Sequence, residues 1–141
     1  MKSRNFNGLI PELSVKNFDR SINFYVNILG FKIEYAREND KFAMISINSS
    51  QIMIEEINGY WETGKLEYPF GRGINIQIEV NNVETMAGKL NKNNIKLFRE
   101  IEENWYNVNN KKHGNKEFLV QDPDGYLLRF AEDLGVKNDP H

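Results

Sequence analysis

The chain of 141 residues contains no cysteine. That excludes thiol nucleophiles, disulfides and cysteine metal sites, and it fits a reducing compartment. Histidine is nearly absent too, with only His113 and His141, the last residue. A catalytic divalent metal takes about three protein ligands, commonly histidine and carboxylate, and two such histidines are a poor start for that set. Excess charge of either sign is missing. Eighteen basic against twenty acidic side chains give a net charge of −2, so there is no electrostatic footprint for nucleic acid or an anionic membrane. Lys111 and Lys112 read as part of a solvated, Asn-rich loop. No apolar run approaches the ~20 residues of a membrane span. The opening Met1-Lys2-Ser3-Arg4-Asn5-Phe6-Asn7 does not read as a signal peptide, and a cytoplasmic location is expected. No Gly-rich phosphate loop, nucleophile elbow or Ser-His-Asp spacing is visible.

What is present is ordinary globular composition, 40% hydrophobic and 27% charged, at a length that usually forms one domain. Leu9 to Val15 reads as a strand. Asn17 then suits a helix cap, and Phe18, Ile22, Tyr25, Val26 and Leu29 keep helical spacing up to Gly30. Strands are expected at Phe31, Ile33 and Tyr35, over 42–47 and over 51–57, the last two joined by Asn48-Ser49-Ser50. A looser stretch rich in Gly and aromatics occupies 58–72. The order then repeats: strand positions Ile74 to Val80, a second cap at Asn82 with Val83, Met86, Ala87 and Leu90, and a strand over 95–101. A hairpin over 117–121 and 126–130 closes around Asp122-Pro123-Asp124-Gly125.

Leu13-Ser14-Val15-Lys16-Asn17-Phe18 lines up with Ile78-Glu79-Val80-Asn81-Asn82-Val83 at an offset of 65 positions. Two copies are too few and too long for a solenoid. The spacing predicts an α+β fold of two βαβββ modules with curved four-stranded sheets, the helices at about 17–29 and 82–93. The whole chain, 1–141, reads as a single domain with halves of about 8–57 and 73–132, joined by the irregular segment 58–72. A ferredoxin-like pair of βαβ units is the alternative.

Asp19-Arg20-Ser21-Ile22-Asn23-Phe24-Tyr25 with Leu29-Gly30-Phe31 resembles the first-helix signature of the vicinal oxygen chelate superfamily, the glyoxalase, bleomycin-resistance and dioxygenase families. Glu117-Phe118-Leu119-Val120-Gln121-Asp122-Pro123-Asp124-Gly125-Tyr126 resembles their last hairpin. Ile10-Pro11-Glu12-Leu13-Ser14-Val15 and His113-Gly114-Asn115-Lys116-Glu117-Phe118 are most similar to the bleomycin-resistance branch. His113 there replaces the usual tryptophan and Lys116 the usual arginine. The resemblance implies cupped mixed sheets and a homodimer, a pairing that exposed strand edges also invite. Fold alone does not fix function.

Metal-dependent members of the superfamily hold their ion with His and Glu on the inner sheet faces. The resemblance puts those positions at Ile10, Met53, Asn75 and Arg129, and a slip of a residue or two would replace Met53 by Glu55. Neither this set nor His113, expected in a polar loop, suits a divalent cation, and an arginine opposes one directly. No metal and no cofactor is expected. Period-two alternation instead gathers Glu12, Ser14, Met53, Glu55, Asn75, Gln77, Leu127 and Arg129 on the cup face. Glu56, adjacent to Glu55, faces the other side. Such polar groups need partners when buried. Either Arg129 pairs with Glu12 or Glu55 in a closed cup, or it meets a ligand. Trp61, in the irregular segment, and Trp105 with Tyr106, in the connection before the last hairpin, either stack on a planar ligand or anchor their loops.

The candidate ligand-binding set is thus Glu12, Met53, Glu55, Trp61, Asn75, Gln77, Trp105, Tyr106 and Arg129, with no catalytic residue. The expected function is metal-independent binding of a planar or cationic small molecule such as a bleomycin-like antibiotic. Glu102 and Glu103 add negative charge to the acidic groups that suit a cation. The alternatives are a lyase or dioxygenase-like enzyme with an unusual metal site, and a partner module with no small ligand.

Overall fold

A computed structural model describes residues 6–138. His141 and the first five residues of the N-terminal reading lie outside the described residues. The chain divides into two compact units, Met1–Phe70 and Gly71–His141, with the boundary inside the irregular segment. Among the described residues no helix is long and apolar enough to cross a membrane.

The first unit runs β1 (Glu12–Val15), α1 (Phe18–Ile22), β2 (Lys32–Arg37), β3 (Phe42–Ile47) and β4 (Ser50–Glu56). Its sheet has the order β1-β4-β3-β2. β1 is parallel to β4 and the other pairs are antiparallel. The second unit repeats this with β5 (Asn75–Glu79), α2 (Val83–Lys92), β6 (Arg99–Val108), β7 (Lys111–Gln121) and β8 (Leu127–Asn138). Its order, β5-β8-β7-β6, has the same parallel pair at one edge. These are the two βαβββ modules expected, and the fold class is α+β.

Both helices start on an asparagine, as the spacing predicts. Asn17 Oδ1 accepts the Arg20 N–H at 2.9 Å, and Asn82 Oδ1 accepts the Thr85 N–H at 3.0 Å. Each start has a second acceptor that local sequence does not reveal. Glu56 Oε2, at the end of β4, accepts the Phe18 N–H at 2.9 Å. Glu132 Oε1, in β8, accepts the Val83 N–H at 3.1 Å. Two orphan donors per helix are thereby satisfied, with carboxylates at the positive end of the helix.

Three boundaries differ from the sequence expectation, each for a physical reason. Beyond Ile22 the first helix winds as a π-helix over Asn23–Ile28, and Leu29 N–H donates to Phe24 O before Gly30 turns at φ 91°. β1 begins at Glu12 rather than Leu9, because the preceding proline donates nothing to a ladder and only its carbonyl is used, by Met53 N–H. The second strand of the second half starts at Arg99, not Ile95, because Ile95 N–H is spent on Leu90 O to close α2. It then continues to Val108, so Trp105, Tyr106 and, on β7, His113 and the two lysines lie in strands instead of loops. The turn is Asn109-Asn110, both at positive φ (50° and 66°) as a tight hairpin requires.

Removing the asparagine cap by Asn82→Ala should cost about 1 kcal/mol. Glu132→Ala strands the part-buried Val83 N–H and should cost about 1–3 kcal/mol. Urea denaturation reads both, and a Glu132→Ala midpoint equal to that of the unsubstituted chain would show that the strand carboxylate is dispensable.

Candidate functional site

The capping glutamates fix which way each sheet faces. Glu56 reaches α1, so Ile52 and Ile54 turn the same way, with Leu13 and Val15 beside them on β1, and all four are buried. Gln51, Met53 and Glu55 must then point to the second face, with Glu12 and Ser14 of β1 and Phe42, Met44 and Ser46 of β3. In the second unit Glu132 reaches α2, and Leu128, Phe130, Ile78, Phe118 and Val120 fill that side. Its second face carries Asn75, Gln77 and Glu79, then Leu127, Arg129 and Ala131, then Glu117, Leu119 and Gln121. Glu12, Met53, Glu55 and Trp61 belong to the first unit. Asn75, Gln77, Trp105, Tyr106 and Arg129 belong to the second.

In the first unit Glu12 sits opposite Met53, and Ser14 opposite Glu55. Glu55 is only 9% exposed, and its Oε1 accepts the indole N–H of Trp61 at 2.9 Å. Tyr60 packs edge-on to Trp61 with ring centroids 4.5 Å apart. Glu12 shares a side-chain hydrogen bond with Glu55. Burial and then the neighbouring Glu55 carboxyl push the Glu12 pKa above its ordinary value, while Arg37 acts in the opposite direction. Arg37 itself rests over the Phe42 ring, 4.1 Å from its centroid. Two carboxyls set side by side, with aromatic rings next to them, favour a positive charge placed between them.

In the second unit Gln77 lies opposite Arg129. The carboxylate facing Arg129 is Glu117 of β7, with Oε2 3.8 Å from Nη1. The contact is an ion pair without a hydrogen bond: Glu117 Oε2 and Arg129 Nε are both buried and unpartnered, as is Asn115 Oδ1. Glu117 was legible only through the hairpin register, by counting back from the Asp122–Gly125 turn to place it opposite Ala131.

Trp105 and Tyr106, neighbours on β6, face opposite sides of the sheet. Trp105 lies opposite Gly114, on the face of Lys116 and α2 rather than the face of Arg129. Its ring covers Gly114 so closely that a Cβ there would fall 2.5 Å from it. Lys137 sits 3.9 Å over the ring, and the indole N–H goes to Glu103 at 2.9 Å. Trp105 therefore anchors its hairpin. Tyr106, opposite His113, shares the Arg129 face and is half exposed.

The positions that the sequence resemblance assigns to metal ligands do not suit a divalent ion. Ile10 has no donor atom, the Met53 thioether is soft, Asn75 is a neutral amide, and Arg129 is a fixed cation engaged with Glu117. Among the described residues no three His, Cys, Asp or Glu side chains are grouped to hold a metal.

The raised Glu12 pKa gives a signed expectation. The folded chain binds this proton more tightly than the unfolded chain, so the stability it contributes is present at low pH and lost as pH rises through the folded-state value. Glu12→Gln, which cannot ionise, should therefore melt higher than the unsubstituted chain at pH 7 and level with it near pH 3. The gain is at most about 1 kcal/mol, since solvent screens a group this exposed. Equal melting temperatures at both pH values would contradict it. For Gly114→Ala, overpacking against Trp105 should cost about 1–3 kcal/mol in the same thermal scans.

The model of the Glyoxalase/Bleomycin resistance protein/Dioxygenase superfamily matches residues 10–130. A lactoylglutathione lyase of Neisseria meningitidis serogroup A is 25% identical over 126 residues, which cover 85% of this chain and 86% of that protein. Among solved structures, TioX from Micromonospora sp. ML1 superposes with a TM-score of 0.67 at 15% identity, covering 89% of this chain and 95% of that one. A glyoxalase/bleomycin resistance protein/dioxygenase from Alicyclobacillus acidocaldarius gives 0.62 at 15% identity, with 94% and 96% covered. At that identity the two structural likenesses speak for the fold alone, but the match from residue 10 to 130 takes in both modules. The chain belongs to the glyoxalase/bleomycin resistance protein/dioxygenase superfamily.

Proposed function

We propose that this protein is a metal-independent binder that sequesters a planar or cationic small molecule, such as a bleomycin-like antibiotic. The observation that carries the reading is the buried Glu55 carboxyl, hydrogen-bonded to Glu12 on one side and to the Trp61 indole on the other. A cationic group set against Glu12 and Glu55 relieves their mutual repulsion, and the exposed rings of Tyr60 and Trp61 offer faces for stacking and cation–π contact. The reading carries with it membership of the bleomycin-resistance branch, a homodimer and a cytoplasmic location.

A second reading, a glyoxalase- or dioxygenase-like enzyme with an unusual metal site, is favoured by the likeness to a lactoylglutathione lyase. The donor set at Ile10, Met53, Asn75 and Arg129 weighs against it.

Titration with bleomycin, followed by tryptophan fluorescence, separates the two when run beside elemental analysis of the purified protein. Saturable quenching is expected, unchanged by chelator, with Glu55→Gln weakening binding about tenfold, or ~1.4 kcal/mol. Arg129→Ala should weaken binding or lower the melting temperature by leaving the Glu117 carboxylate unpaired. Stoichiometric zinc, nickel or iron, with an activity lost on chelation, would overturn the binder reading in favour of the enzyme.

A further inference from the structure

The buried carboxyl of the first unit already receives a donor from the chain itself. After β4 the backbone folds into a tight turn over residues 58–64. Glu62 closes it, accepting the Gly59 N–H at 3.2 Å and the Trp61 backbone N–H at 3.0 Å. Asn58 Oδ1 accepts the Tyr60 N–H at 2.9 Å, and Tyr60 packs on Trp61. The turn therefore holds its own shape. Gly59, at φ 81° with open space where a Cβ would stand, joins it to the strand. Among the described residues, one hydrogen bond fastens this turn to the sheet, from the Trp61 indole N–H to Glu55 Oε1. The ring is 54% exposed and the carboxyl only 9%. Trp61 is held by its N–H and not by burial of its faces.

That bond is a modest one for its place. An indole N–H is a neutral donor, and Glu55 stands beside a second carboxyl, Glu12. Among the described residues neither has an ion-pair partner. Arg37 lies in the same cross-strand row as Glu55, but Phe42 stands between them. Its guanidinium is engaged with Asp40 at 3.3 Å and with the Phe42 ring. Ser14, Met53 and Met44, the other neighbours on this face, carry no charge. Three kinds of ligand head would meet the indole differently. A neutral donor exchanges one neutral hydrogen bond for another and gains little. A quaternary ammonium brings charge but leaves a buried carboxylate oxygen without its hydrogen bond. An ammonium or guanidinium brings both. It replaces a neutral bond by a charge-assisted one, roughly twice as strong, and offsets the repulsion between the two carboxyls. We propose that Trp61 is the specificity latch of this site: its indole N–H fills Glu55 in the free chain and yields only to a ligand head with both positive charge and N–H groups, a primary ammonium or a guanidinium. Once off Glu55, the exposed indole face can lie over the bound head. The inference rests on the cation-binding reading above and narrows it to one chemical class.

The test follows the indole N–H itself in the ¹⁵N-labelled full chain. The chain has two tryptophans, so Trp61→Phe assigns both indole signals. Trp105, bonded to Glu103 in the second unit, is the internal reference. Methylguanidinium should shift the Trp61 indole signal saturably, at concentrations on the order of 10 mM for so small a group, and speed its exchange with water. The Trp105 signal should stay in place. Methylurea, the neutral isostere, and tetramethylammonium should move neither. Trp61→Phe keeps a ring and removes the N–H. Its amide shifts over residues 53–56 should therefore saturate at about threefold to tenfold lower methylguanidinium, the range that one net hydrogen bond is worth. Four results would each overturn the latch: no response to methylguanidinium, a Trp61 signal that stays put while those amides saturate, an equal response to methylurea or tetramethylammonium, or a Trp61→Phe chain that binds no more tightly. Bleomycin separates the latch from the proposed function. Indole displacement by methylguanidinium with no bleomycin binding keeps the latch and removes the bleomycin reading. Saturable bleomycin binding with an unmoved Trp61 indole does the reverse.

Discussion

The bond from a strand carboxylate to the first N–H of a helix organises each unit. Glu56 and Glu132 tie the last strand of a module to the start of its own helix. The bond relieves an orphan donor and places negative charge at the positive end of the helix. It also sets orientation. Once one residue of β4 or β8 is committed to the helix side, alternation commits its neighbours to the opposite side. Leu13, Ile52, Ile54, Leu128 and Phe130 fall on the helix side and are buried, and the second face takes most of the remaining polar residues beside Phe42 and Met44.

The two second faces have diverged while the helix sides have stayed alike. The first unit sets a carboxyl pair against an indole and a guanidinium that rests on phenylalanine. The second sets an arginine against a glutamate without closing a hydrogen bond. An apolar interior tolerates only shape-preserving change, whereas a polar face can be rewritten one residue at a time so long as its partners follow.

Much of the scaffold was legible because its signals are local. Asn17 and Asn82 announce helix starts, Gly30 a stop, and Asp122 to Gly125 a turn, and each of these residues acts on backbone within a few positions. The face shared by Glu12 and Glu55 followed from alternation alone. What escaped depended on distant partners. The Glu56 and Glu132 caps and the Glu117 partner of Arg129 all join residues whose relation exists only after folding. The strand carrying Trp105 escaped for another reason. Glu102, Glu103 and Asn104 break its apolar alternation, and the hairpin is held by its ladder, the Asn109-Asn110 turn and a tryptophan laid over glycine.

Among the described residues no strand ladder crosses Gly71, for β1 to β4 pair only with one another and β5 to β8 likewise. Every loop that must close to build a sheet therefore lies within one half of the chain, which keeps the entropy of closure low for each. The parallel pair at one edge of each sheet is the most distant contact it has to find. Topology of this kind favours two nucleation events, one per module, over a single search across the whole sequence. The N-terminal module can complete its ladders during synthesis before the second has left the ribosome.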